Sequence, residues 1–353
     1  MKISHLDLKS FMIFNHLDMS FSPNINVISG ENSTGKTALI KLLYACIKSG
    51  EKAYLSKGDF TVEKLDSILV SKLQGVFRPD KDSVGRLVNR RQGSNSAEIH
   101  IEFDNHDDFD ISFNNRHTKH INIEKHPASN YKSNAVYIPP KEIISSTENF
   151  VSLYDDYHIA FEETYYDLAR LLEKPLKKGA NTSEQNAVLE RFEDIVDGNI
   201  VKKDRVFYLK VKGSGEFEMG LVSEGYRKLV TIMYLILSGS LNKNSILFWD
   251  EPETNMNPKM IQPVVEALIA LANLGVQVFV TTHDYFIQQS FNLAATYPNP
   301  QNKPLQYQFI SLYQSKDGIQ AESVNELSDL THNAIMEEFD ALYDREQNLI
   351  YGD

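Results

Sequence analysis

The chain has 353 residues, 42% of them hydrophobic and 24% charged, enough for a sizeable core in one large domain or two modest ones. Its formal charge of -12 argues against a surface built throughout to hold nucleic acid, since phosphate neutralisation needs clustered Lys and Arg; any DNA contact is expected to be local. Cys46 is the single cysteine, which excludes an internal disulfide and a multi-cysteine metal cage and fits a reducing cytoplasm.

Residues 1–11 alternate charged with apolar positions and lack the unbroken apolar stretch of a secretory signal, so export is not expected. Residues 3–8 and 16–21 read as a hairpin, and 25–28 as a brief apolar strand entering a glycine-rich turn, followed by a helix from 36 to about 47. Val62, Leu65, Ile68, Leu69, Leu73 and Val76 recur at helical spacing, predicting an amphipathic helix over 61–77 inside a helical lid of about 50–95 that covers the site. Segments 97–103, 109–113 and 121–124 alternate as an antiparallel meander, and strand 135–138 is stopped by Pro139 and Pro140. From 148 to 198 the chain turns rich in Glu, Leu and Tyr with helical periodicity, and Pro175 and Gly179 divide this insert into two helices. Strands over 206–211 and 216–222 precede a strict alternation: helix 224–241, strand 245–250, helix 258–274, strand 276–281, which implies a parallel sheet. The longest apolar run, 229–241, is broken by Ser and Gly and falls short of the roughly 20 residues of a membrane span, so it reads as a buried helix and no membrane partner is expected. The expected organisation is 1–147 and 199–353 as two halves of one α/β unit, with 148–198 inserted between them.

Four segments carry chemistry. GENSTGKT, Gly30, Glu31, Asn32, Ser33, Thr34, Gly35, Lys36 and Thr37, satisfies the phosphate-binding P-loop pattern between an apolar strand and a helix. Its glycines let successive N–H groups curl toward phosphate oxygens at a helix N-terminus; Lys36 is expected to reach the β- and γ-phosphates of ATP, and Thr37 to ligate Mg²⁺. In SILFWDEPETNMNP, Asp250 at the tip of a buried strand is expected to hold the metal, and Glu251 to orient or deprotonate the attacking water. VQVFVTTHD delivers His283 on the next predicted strand, where a γ-phosphate contact would be required. VSEGYRKL opens a helix with Ser223, Glu224 and Gly225. A second anion-binding helix terminus makes most sense serving ATP held by a partner subunit; the plainer alternative is Ser223 as an ordinary cap.

In this order the four segments resemble the ATP-binding-cassette (ABC) superfamily: Walker A, signature, Walker B and switch histidine. The resemblance implies a P-loop ATPase head, a mixed parallel sheet with an antiparallel β-subdomain and a helical insert, whose copies sandwich two ATP molecules in a homodimer. YIPPKE, SEGYRKL and FWDEPETNMNP look most like the stand-alone AAA-type ATPases related to the OLD proteins, including anti-phage subunits such as those of Septu and PARIS, which implies a separate effector such as a nuclease. Residues 138–142 correspond to the Q-loop but contain no glutamine, which leaves the metal-sensing side chain unassigned; Glu224 replaces the usual signature glycine, and Asn257 stands where a D-loop aspartate is common.

A long-armed chromosome-structure ATPase is excluded, since the chain between Gly30 and Ser223 holds no sustained heptads. A DNA-maintenance ATPase resembling the RecF group, with duplex DNA as partner, is the rival reading. A non-hydrolysing scaffold would need neither Glu251 nor His283. His106, His117, His120 and His126 are scattered through a polar hairpin without metal-ligand spacing. Arg86, Arg90 and Arg91 read as solvated charge, and the tyrosines of 154–166 as insert core.

Overall fold

The computed structural model describes residues 1–55, 59–90, 95–116, 119–127, 133–157, 159–299 and 303–351. Alternating burial pairs β1 (Ile3–Phe11) with β2 (Phe14–Ser20) as a hairpin. β3 (Ile25–Gly30) is buried throughout and turns into α1 (Lys36–Leu55). That helix runs past its expected end because its packed face continues through Ser49, Gly50 and Ala53 while Lys48 pairs with Glu51 at 2.8 Å. The Thr61 hydroxyl caps α2 (Val62–Phe77) by accepting the Lys64 N–H. β4 (Ser96–Phe103), β5 (Asp108–Asn114) and β6 (Asn122–Lys125) form the meander, and antiparallel pairing of β1 with β4 joins it to the first hairpin in one sheet, ordered β2-β1-β4-β5-β6.

β7 (Asn134–Ile138) instead pairs in parallel with a later strand. The insert holds three helices, not two: α3 (Phe150–Tyr157), α4 (Glu163–Glu173) and α5 (Ser183–Val196). Pro175 and Gly179 separate only the last two. Leu168, Leu172, Phe192 and Val196 are packed into the main core beside Leu229 and Trp249, so the insert shares the interior of the rest of the chain. A strand not anticipated, β8 (Gly198–Lys203), pairs with β9 (Val206–Val211), and β10 (Gly215–Glu218) completes a small antiparallel sheet. The expected strand over 216–222 gives way after Glu218 to a single 3-10 turn over 219–221.

α6 (Glu224–Leu237) stops short of 241, where Gly239 adopts φ +73°. β11 (Ser245–Asp250), α7 (Ile261–Asn273) and β12 (Gln277–Thr281) follow as the alternation predicts. Beyond them lie α8 (Tyr285–Thr296), β13 (Tyr307–Ser315), β14 (Gly318–Val324) and α9 (Ala334–Tyr351).

The central sheet has the order β14-β13-β3-β12-β11-β7, parallel except for the β13–β14 hairpin. Its strands are near-continuous apolar runs because both faces are covered. Leu247 and Trp249 point into the core under α6 and the insert, and Ile246 and Phe248 into that under α1 and the five-stranded sheet. The C-terminal ends of β3, β11 and β12 therefore meet at one rim, where a parallel sheet positions its ligands. Among the described residues no helix is long and apolar enough to cross a membrane.

Candidate nucleotide site

The loop from Gly30 to Thr37 wraps the N-terminus of α1. Gly30 has φ +144° and Gly35 φ +92°; a Cβ on Gly30 would lie 2.2 Å from the Leu312 carbonyl oxygen, and one on Gly35 2.4 Å from the Phe14 ring. Only glycine fits either place, and Ser33 between them also takes a positive φ of +66°. The Thr34 hydroxyl braces the loop by donating to the Glu31 carbonyl at 2.9 Å. The Lys36 ammonium, 6% exposed, donates to the carbonyls of Gly30 (2.7 Å) and Glu31 (2.9 Å). Burial lowers the Lys36 pKa, against the opposing pull of the Glu251 and Asp250 charges.

Asp250 ends β11, fully buried, and three hydroxyls converge on it. Thr37 (3.0 Å) and Thr281 (2.5 Å) donate to Oδ1, and Tyr137 donates to Oδ2 (3.0 Å). Burial still holds this carboxyl above its usual range. A threonine hydroxyl and a carboxylate in mutual contact, beside a backbone cradle with no room for a side chain, form the oxygen set that a hard divalent cation such as Mg²⁺ takes.

Glu251 turns away from Asp250 because its backbone is left-handed, φ +45°, a conformation that non-glycine residues rarely adopt. Its N–H donates to the carbonyl (3.2 Å) and hydroxyl (3.1 Å) of Thr281, and its carboxylate lies 3.2 Å from the His283 Nδ1. Glu251 lines a cavity of about 470 Å³ with Asn32, Ser33, Gly35, Lys36 and Thr37, a size suited to a small-molecule ligand. Met12, Ile13, Val76 and Phe77 make the apolar wall of this cavity, so the C-terminal end of α2 borders the P-loop. His283 opens onto a second cavity shared with Gly30, Glu31, Asn32 and Phe339 of α9.

Ser223, Glu224 and Gly225 line neither of these cavities. Ser223 is the N-cap of α6, and its exposed hydroxyl makes no capping bond. The helix it opens is fastened to the loop after the acid pair. Glu224 accepts from Asn255 (2.9 Å), and the buried Lys228 ammonium donates to the carbonyls of Pro252 (3.3 Å) and Thr254 (2.7 Å). Burial pushes Lys228 down to about 8. Asn257 caps the next turn by accepting the Lys259 N–H at 3.0 Å.

Sequence reasoning did not single out Tyr137, Thr281, Lys228 or Glu253. The Glu253 carboxylate, buried behind His283, accepts from the Thr282 hydroxyl (2.7 Å) and the His283 N–H (3.1 Å), and burial raises its pKa. The stretch DEPE held a signal for it: a third carboxylate, two residues past Glu251. Within residues 138–142, Glu142 forms a 2.7 Å ion pair with Arg227 of α6. Elsewhere, Arg86 meets Asp80 at an exposed 3.8 Å pair and Arg90 is exposed. Tyr154 and Tyr166 stack at 4.5 Å. His120 contacts Asp66, His126 contacts Tyr54, and His106 takes φ +64° beside a turn. Arg91 and His117 lie outside the described residues.

Among curated proteins, the DNA replication and repair protein RecF of Halalkalibacterium halodurans is 52% identical over 44 residues, 12% of each chain. RecF of Bacillus subtilis is 29% identical over 103 residues, 29% of this chain and 27% of that one. The structural maintenance of chromosomes protein 6 of Dictyostelium discoideum is 30% identical over 99 residues, 25% of this chain and 8% of that one. The chain thus matches only a minor part of each of these relatives. Among solved structures, the SmcHead bound to the C-winged helix domain of ScpA superimposes with a TM-score of 0.56 at 12% identity, over 93% of this chain and 99% of that one. A Smc head domain with an extended coiled coil, derived from Pyrococcus furiosus and bound to the C-terminal domain of ScpA, gives 0.53 at 11% identity, over 98% and 99%. The fold is that of an SMC-type ABC ATPase head. Residues 25–287 match the family described as "AAA domain, putative AbiEii toxin, Type IV TA system", and the chain belongs to that family, an ATPase domain of the ABC/AAA type.

Proposed function

We propose that the protein binds Mg²⁺–ATP on the loop from Gly30 to Thr37, hydrolyses it with Glu251, and uses the nucleotide to control its own assembly and thereby a separate effector such as a nuclease. The left-handed Glu251, fastened to Thr281 and facing the cavity of Lys36 and Thr37, carries this reading. A strained residue at a site is a reason to look for function there. Lys36 and the loop amides hold the β- and γ-phosphates, and Met12 and Ile13, with Phe77 at the end of α2, give the base an apolar wall. Thr37 and Asp250 hold Mg²⁺, which neutralises charge on the phosphate oxygens when bound. Glu251 accepts the proton of the attacking water as its oxygen bonds to the γ-phosphorus and the bond to ADP breaks. His283 orients the Glu251 carboxylate and contacts the γ-phosphate.

Ser223 to Gly225, which line neither cavity, serve the nucleotide of a second copy. Exposed Phe339 and Leu342, beside Gly30 and His283, supply an apolar margin that such an assembly would cover. Hydrolysis then removes the γ-phosphate contacts that both copies share only in the closed state. Glu251→Gln is expected to accumulate as an ATP-bound dimer on a sizing column with light scattering, and Lys36→Ala to lose nucleotide binding. Equal dimerisation of wild type and Glu251→Gln at matched occupancy would sink the model.

The short matches to RecF favour a second reading, an ATPase that loads on duplex DNA. ATP-stimulated duplex binding that weakens steeply with salt would favour it; no binding at low salt would remove it.

A further inference from the structure

The wall of the nucleotide cavity holds a carboxylate that none of the four motifs contains. Glu162, at the N-terminal edge of α4, lines the same cavity as Lys36, Thr37 and Glu251. It is anchored by Lys41, one turn beyond Thr37 on α1, whose ammonium donates to Glu162 Oε2 at 2.7 Å. The Thr164 hydroxyl donates to the same oxygen at 3.4 Å. Burial raises the phenols of Tyr137, which donates to Asp250, and of Tyr165, and the charges of Asp250 and Glu162 add to both shifts.

A pocket for a polyanion with a second carboxylate in its wall is electrostatically self-defeating unless something reconciles the two charges. Lys41 offsets Glu162 itself and leaves little over for the ligand. Glu251 lines the cavity together with Lys36, and Asp250 accepts from the Thr37 hydroxyl. The side chains of the site thus bring two ammonium groups against three carboxylates. That balance repels free ATP more strongly than ATP carrying a divalent cation, which offsets part of the nucleotide's negative charge.

We infer that Glu162 makes this pocket selective for the metal-bound nucleotide, presenting its carboxylate to the hydrated cation and repelling ATP that arrives without one. The inference rests on the ATP-binding reading above. It assigns to the helical insert the metal-sensing task for which residues 138–142 offer no glutamine, and it ties α4 to the nucleotide state through the Lys41 bond to α1.

The test is equilibrium binding of a fluorescent ATP analogue to the full chain, in EDTA and across a Mg²⁺ titration. Wild type should bind weakly in EDTA and tightly with Mg²⁺. Glu162→Gln should bind more tightly than wild type in EDTA and need about tenfold more Mg²⁺ for half-maximal binding, the usual scale for an outer-sphere partner of a metal. An unchanged Mg²⁺ requirement overturns the inference. So does equal weakening with and without metal, the signature of a residue that only braces α1. A wild type that binds neither form removes the ATP reading beneath it instead. If thermal unfolding shows Glu162→Gln to be misfolded, Glu162→Asp takes its place. That variant keeps the charge but withdraws the carboxylate, so binding in EDTA should stay weak while the Mg²⁺ requirement rises; an unaltered requirement overturns the inference here too.

Discussion

Glu251 shows how far one residue's chemistry depends on its backbone. A left-handed, non-glycine residue costs on the order of 1 kcal/mol, and here two bonds to Thr281 maintain it. Asparagine visits that region more readily. Glu251→Asn is therefore expected to gain up to about 1 kcal/mol in denaturant unfolding while losing ATP turnover. A variant less stable than wild type would show that the turn stores no strain. The adjacent carboxylates were legible because they sit together at the end of an apolar run. That they face different ways was legible as well; the left-handed backbone that turns Glu251 was not, because it is held by Thr281 on the neighbouring strand. Tyr137 was still less visible: it lies 113 residues from Asp250, inside a strand that reads only as apolar.

Three helices that the sequence treats as lid, P-loop helix and insert are locked by buried charge. Lys72 of α2, 1% exposed, donates to Glu163 and to Asp167 (2.6 Å) of α4, and Tyr44 of α1 donates to Asp167 at 2.6 Å. Burial alone would lower Lys72, but the Asp167 and Glu163 charges outweigh it and hold the ammonium above its usual range. Burial opposes ionisation of Asp167 as well, yet Lys72 and Lys52 keep it below the usual aspartate value. Removing one partner leaves charge buried and unpaired, so Asp167→Asn should cost about 3 kcal/mol near neutral pH. A depressed carboxylate stabilises above its unfolded pKa and loses that contribution as pH falls through its folded one. The stability gap between wild type and Asp167→Asn should therefore hold steady near neutrality and narrow below about pH 4. Unfolding curves across pH check this; a gap that widens in acid contradicts it. Amphipathic periodicity revealed α2 and the helical character of the insert, but could not show that they meet, because Lys72 and Asp167 belong to separate periodic segments.

At the scale of the whole molecule, Ser223 and Lys36 are far apart in function if the signature serves a second copy. Lys36→Ala and Ser223→Arg should each abolish turnover alone. Mixed, they should recover about a quarter of wild-type activity, because a head-to-tail heterodimer, half of a random mixture, keeps one intact site of two. No recovery would mean that Ser223 acts within its own subunit. The sequence by itself determined the P-loop, the acid pair, the strand that leads to His283 and the alternation that builds a parallel sheet. Each is a contiguous device in which a strand end or helix start presents its own backbone and nearest side chains. Tertiary structure alone decided that the first hairpin joins the meander, that the insert packs into the main core, and that Tyr137 reaches Asp250, Lys228 the loop after the acid pair and Glu162 the cavity wall. Those contacts arise from packing across long stretches of chain, where neither periodicity nor spacing records which surfaces will face each other.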